Sequence, residues 1–80
     1  MEIEFVDESY SGKNGEWIPV YTLNYLADST LLSWMQFDTR EGVSFMTKAE
    51  ANQWGRRRAL RWRDANYPGA ELFERRAERN

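Results

Sequence analysis

The chain opens on a polar and apolar alternation. In EIEFVDESY, residues 2–10, Ile3, Phe5 and Asp7 fall on one side and Glu2, Glu4 and Val6 on the other, the spacing of a half-buried strand. SGKNG follows, and Asn14-Gly15 between two strand-like runs predicts a hairpin with a type I′ turn, which needs positive φ at both central residues. The next run, EWIPVYTLNYLA, is rich in β-branched and aromatic residues. Trp17, Tyr21, Leu23 and Tyr25 share one face and Ile18, Val20 and Thr22 the other, so both faces are partly apolar. Pro19 cannot donate to a ladder and belongs at the strand's start or on an outer side. After the turn-like Asp28-Ser29-Thr30, LLSWMQFD reads as a third strand, with a short helix from Ser29 as the competitor, because periodicity alone does not separate short apolar runs. Thr39 to Gly42 reads as a turn, and Val43–Met46 as either a brief fourth strand or the lead-in to a helix.

That helix is well marked. Thr47-Lys48-Ala49-Glu50 fits a capping box, and up to about Asn66 only Gly55 opposes helix. At 100° per residue Ala51, Trp54, Gly55, Arg58, Trp62 and Ala65 form the stripe expected to lie on a sheet, with Gly55 allowing close approach. Tyr67-Pro68-Gly69 stops it. Residues 70–78 predict a short terminal helix with Leu72, Phe73 and Ala77 inward. The expected fold is α+β, a single domain over 1–80: an antiparallel sheet of three to four strands within 2–46, packed against one main C-terminal helix, 47–66.

Composition narrows the chemistry. An 80-residue chain buries only about 60% of the surface it exposes when unfolded, and its four Trp, four Tyr and four Phe supply the large groups that offset this. Without cysteine there is no disulfide and no thiolate; without histidine the usual general base near neutral pH and the commonest metal ligand are missing. The serines have no histidine to activate them, the glycines form neither a phosphate-binding loop nor a dinucleotide fingerprint, and the carboxylates lack EF-hand spacing. The expectation is a protein that is not an enzyme and carries no metal or cofactor. No apolar run approaches the roughly 20 residues of a membrane span, and the start is acidic rather than the basic start of a signal peptide.

Charge is divided unevenly. Residues 1–50 hold nine carboxylates against three cations, and residues 51–80 hold eight arginines against four carboxylates. Two surfaces stand out. The first is an acidic hairpin, Glu2, Glu4, Asp7, Glu8 and Glu16, joined by the aromatics Trp17, Tyr21 and Trp34 as partner-binding candidates, since Trp and Tyr dominate interfaces. The second is the arginine-rich stretch 56–63, where Arg56 and Arg63 share one side of the helix and Arg57 and Arg61 another, suited to phosphates. An overall pI of about 5.1 lacks the electrostatic footprint of a nucleic-acid binder.

The NG hairpin, the aromatic strands and the segment FMTKAEANQWGRRRALRW, residues 45–62, together resemble small accessory proteins encoded by bacteriophages and mobile elements, of which anti-CRISPR proteins are one group. The likeness covers the whole chain in general design and carries over no functional residue. It implies a stoichiometric inhibitor in the cytoplasm of a bacterial host. Such an inhibitor docks on a larger defence protein or ribonucleoprotein complex and blocks its nucleic-acid site or its conformational change. The alternative is a small nucleic-acid-binding regulator working through 56–63. A third option is a dimerising module with an exposed strand edge, so monomer and homodimer both stay open.

Overall fold

A computed structural model of the chain describes residues 1–28, 30–38 and 42–75. Six strands and one helix follow in the order β1 (Glu2–Asp7), β2 (Tyr10–Ser11), β3 (Trp17–Ile18), β4 (Val20–Ala27), β5 (Leu31–Asp38), α1 (Lys48–Asn66) and β6 (Glu71–Glu74). The main sheet has the order β5-β4-β1-β6, and β2 and β3 form a separate two-stranded ribbon. β1 pairs antiparallel with β4, with Ile3 opposite Tyr25 and Phe5 opposite Leu23, and β4 pairs antiparallel with β5 from Val20↔Asp38 to Ala27↔Leu31. Residues 31–38 are therefore strand and not helix.

The expected α+β assembly with a C-terminal helix on a sheet is present, with differences at three places. The fourth strand is β6, and it runs parallel to β1, with Glu2 opposite Glu71 and Phe5 opposite Glu74, so the sheet is mixed. Residues 71–74 thus form a strand where a terminal helix is predicted; residues 76–78 of that expectation lie outside the described residues, as does most of the 39–42 turn. The reason is local and tertiary together. Ala70 N–H donates to Tyr67 C=O at 3.1 Å and Gly69 has φ +89, a type II turn with Pro68 at its first corner. This aims the chain at the free edge of β1, where Glu71 N–H meets Met1 C=O and Arg75 N–H meets Phe5 C=O, both at 3.0 Å. Residues 43–46 are the lead-in to α1, with a single bridge between Phe45 and Trp17.

The first hairpin forms with a different turn. Gly12 N–H donates to Glu16 C=O at 2.7 Å and Gly15 N–H to Gly12 C=O at 3.2 Å, and Gly15 has φ +80. Among the described non-glycine residues only Asp28 has positive φ, so Asn14 does not, and a type I′ turn is excluded. A three-residue loop closed by a left-handed glycine takes its place.

α1 starts at Thr47, whose hydroxyl accepts from Glu50 N–H at 3.2 Å and donates to Glu50 Oε1 at 3.0 Å. Its buried residues are Ala51, Gly55 and Ala59, at four-residue steps, and the stripe continues three residues on to half-buried Trp62. This stripe is rotated from the expected one: Arg58 and Ala65 are exposed, and Trp54 packs beside Phe45 at 6.1 Å. Three small side chains let the helix backbone settle on the rings of Phe5 and Tyr21. Those rings lie 5.3 Å apart, and Tyr21 stacks on Phe37 at 4.8 Å. Ile3, Phe5, Tyr21, Leu23, Ala59 and Ala70 form the buried core, with Tyr25, Trp62, Tyr67 and Leu72 around it.

A Cβ on Gly55 would stand 3.1 Å from Tyr21 Cδ1 and 3.4 Å from Phe5 Cζ, so a branched side chain there forces the helix off the sheet. We expect Gly55→Val to lower unfolding stability by about 2 kcal/mol, within the usual cost of overpacking, read as a reduced urea midpoint at unchanged slope. An unchanged midpoint would show that the close approach is not needed.

Candidate functional site

Strand alternation gives the main sheet an inner face toward α1 and an outer face away from it. Ile3, Phe5, Tyr21, Leu23 and Phe37 point inward. Glu2, Glu4, Thr22, Asn24, Leu26, Leu32, Trp34 and Phe73 occupy the opposite register positions. Among the described residues no helix lies over this outer face; it is covered at Val20 and, by Arg75, at Glu4, but elsewhere carries large exposed apolar side chains: Trp34 is 68% exposed, Leu32 64%, Leu26 49% and Phe73 45%. Leu26 pairs directly with Leu32, and Asn24 with Trp34. Glu2, Glu4, Asn24, Leu26, Leu32 and Phe73 line a shallow concavity across β6, β1, β4 and β5. Leu26, Leu32 and Trp34 form one exposed apolar cluster, separated from Phe73 by Asn24 and Glu4, and an exposed apolar patch rimmed by polar groups is the usual mark of an interaction surface.

The acidic candidates divide between the two faces and the ribbon instead of forming one cluster. Glu4 is engaged at both oxygens, by Asn24 Nδ2 and by Arg75 Nε, each at 3.0 Å. Glu8 accepts from the Thr22 hydroxyl. Asp7 turns to the inner side, where its carboxylate takes Ser9 N–H at 2.9 Å, Ser9 Oγ at 2.6 Å and Asn52 Nδ2 at 3.0 Å. Asn52 also donates to Glu74 Oε2 at 2.8 Å, so one amide ties the start of α1 to the ends of β1 and β6. Glu16 folds back over Gly12, with Oε1 accepting from Asn14 N–H at 3.4 Å. Among the described residues Glu2 and Glu71 keep free carboxylates, and they sit side by side across the β1–β6 pair.

The aromatic candidates part company in the same way. Trp34 is on the outer face. Trp17 is half-buried in the ribbon, bridged to Phe45 through both backbone groups at 2.7 and 2.9 Å and covered by Lys48 Nζ at 5.9 Å from its ring. Tyr21, expected among the contacts, lies in the core at 1% exposure, so it takes no part in a surface.

On α1, Arg56 pairs with Glu74 at 3.7 Å and Arg63 with Asp64 at 3.0 Å. Arg58 lies over the Trp54 ring at 4.7 Å. Among the described residues Arg57 and Arg61 have no ion-pair partner; they are exposed and one helical turn apart. No group of three or more potential metal ligands occurs among the described residues, and no helix there is long and apolar enough to cross a membrane.

Leu26, Leu32 and Phe73 are the outer-face residues that sequence reasoning missed. A signal existed: the period-two positions of β4 and β5 that face with Asn24 and Trp34. Phe73 was concealed by the helical reading of its segment. No protein family, no curated protein and no solved structure matches the chain.

Burial pushes the Tyr21 phenol above its ordinary value, and the hydrogen bond and charge of Arg58 pull the other way. With the folded value above the unfolded one, native chain holds this proton longer. The resulting stabilisation is complete below about pH 10 and is lost as pH rises through the folded value. We expect the urea midpoint of the wild type to fall more steeply above pH 10 than that of Tyr21→Phe; parallel curves would contradict this.

Proposed function

We propose that the chain is a protein-docking module that binds through the outer face of its main sheet. The observation that carries this reading is Trp34, largely exposed beside Leu32 and Leu26, with Phe73 on the same face beyond Asn24 and Glu4. In an 80-residue domain such groups would lower solubility without a use, whereas Trp in a patch that can be desolvated is the type of residue that dominates binding energy. Glu2 and Glu71 at the β1–β6 end add negative charge, so the complementary partner presents an apolar ridge next to Lys or Arg. Grooves that bind nucleic acid carry such cations. Occupying one of them is how an inhibitor of the bacteriophage type would block a larger protein or ribonucleoprotein, and this use fits the face. On this reading the work is done by binding, with no chemical step.

Affinity capture from bacterial lysate with the tagged chain tests this. The expected result is a retained protein whose recovery falls at least roughly tenfold, a 1.4 kcal/mol loss, with Leu32→Ala plus Trp34→Ala and is unchanged with Arg57→Ala plus Arg61→Ala. The reverse pattern, or no retained protein, overturns it.

A second reading rests on Arg57 and Arg61, the free pair on α1: binding to nucleic-acid phosphates. If that pair contacts phosphate, anisotropy titrations with labelled DNA and RNA will give a log K against log salt slope that drops by about 2 in the double alanine variant. An identical slope excludes both as phosphate contacts.

A further inference from the structure

The two edges of the main sheet are treated very differently by the sequence. β6 is four residues long and carries Glu71 and Glu74, charges that discourage another strand from pairing. β5 is twice as long, and from Leu31 to Phe37, LLSWMQF, it has no charge, no proline and no glycine. Among the described residues nothing pairs with its outer edge. Its first half is also bare on both faces. α1 packs over β1, β4 and β3 and meets β5 near its end, where Trp62 stands 6.3 Å from Phe37. Leu31 on the inner side is therefore 63% exposed and Met35 40%, while Leu32 and Trp34 project outward. A long, flat, apolar edge without any blocking device is a template for a further strand.

We propose that this edge pairs with itself: two copies of the chain associate through antiparallel β5–β5 pairing centred on Ser33, joining their main sheets into one. Antiparallel pairing about a two-fold axis through the sheet keeps each copy's inner and outer faces on common sides, and it matches residues whose numbers have a constant sum. Centred on Ser33, Leu32 meets the partner's Trp34 on the outer face and Leu31 meets the partner's Met35 on the inner face, each twice. Other registers do worse. Centring on Trp34 sets Trp34 against itself and Leu31 against Phe37, but Leu32 against Gln36 and Ser33 against Met35, three apolar pairs in place of four. Centring on Met35 sets Leu32 against Asp38 and Trp34 against Gln36. Cross-strand apolar pairs are the unit of sheet stabilisation, so the sequence selects the Ser33 register. The exposed parts of Leu31, Leu32, Trp34 and Met35 amount to on the order of 500 Å² per copy, of which edge pairing covers the part that faces the partner, so the interface is smaller than the about 800 Å² a side of a standard one and the association correspondingly weak. Residues 31–37 are uncharged, so no like charges meet within the paired apolar segment, although the register brings Asp38 opposite the partner's Asp28 beyond it; an acidic or basic partner strand finds nothing to complement between them.

The association does not depend on the docking role, and the two separate by mutation. Sedimentation velocity of the full chain from low micromolar to several hundred micromolar should show a monomer giving way to a dimer. Ser33→Lys sets two ammonium groups face to face at the axis and should raise the dissociation constant roughly tenfold or more. Ser33 faces inward, so Leu26, Leu32, Trp34 and Phe73 remain available for partner capture. A cross-link fixes the register. The chain has no cysteine, and directly opposed antiparallel residues have Cα atoms about 4.5–5.5 Å apart, within disulfide reach. Ser33→Cys should therefore form a covalent dimer under mild oxidation. Gln36→Cys should not, because its two copies would lie about 20 Å apart. A constant monomer mass over the whole range, or cross-linking as fast through Gln36→Cys as through Ser33→Cys, would overturn the proposal.

Discussion

Everything in this fold depends on how closely α1 lies on Phe5 and Tyr21. Ala51, Gly55 and Ala59 give the helix a face with almost no side chain, so its backbone rests nearly on the rings. A small helix face brings large sheet residues to bear, and that is how a chain of this length fills a core with few side chains. The flanking tryptophans then act as walls. Trp62 closes one side against Tyr25 and Tyr67, at 5.2 and 5.7 Å, and Trp54 closes the other against Phe45.

The same closeness restricts what the helix can cover. One α-helix is about 10 Å across and strands lie about 4.8 Å apart, so a single helix spans about two strands. It lies over β1 and β4, the central pair, and β5 extends past it. With no second helix in the described chain, most of the opposite side stays open, apart from the Val20 end and the part of Glu4 that Arg75 covers. Exposed apolar surface is thus a geometric consequence of building four strands against one helix. The residue types placed there are not: Thr22, Asn24, Glu2 and Glu4 suit water, whereas Leu26, Leu32, Trp34 and Phe73 do not.

Much of the fold was legible in the residues. The inward set Ile3, Phe5, Tyr21, Leu23 and Tyr25 follows from period-two alternation, and Thr47 as the helix cap follows from its hydroxyl and Glu50. What escaped was decided by tertiary context. Glu71–Glu74 is strand because the β1 edge was available to a chain turned by Pro68-Gly69, and four residues of mixed polarity do not announce that. The helix stripe is rotated so that small Ala59 is buried, while Arg58 stays exposed over the Trp54 ring. Of the candidate site, Trp34 was legible and its neighbours were not, since Leu26 and Leu32 meet it only once the β4–β5 register is known. The acidic cluster looked coherent because its members are close in sequence, yet Asp7 and Glu4 lie on alternate sides of one strand.

The parallel pairing of β1 with β6 joins the first strand of the chain to the last one described. During synthesis β1 emerges first and can pair with β4, and β4 with β5, through antiparallel contacts formed before the helix is made. Its other edge stays open until residues 71–74 are made, and the core face stays open until α1 has followed. Pairings between distant segments are formed late and slowly. A nascent chain of this protein therefore passes through a stage in which a three-stranded sheet has both edges and both faces open to solvent or to another nascent chain, the stage at which chaperones have most to hold.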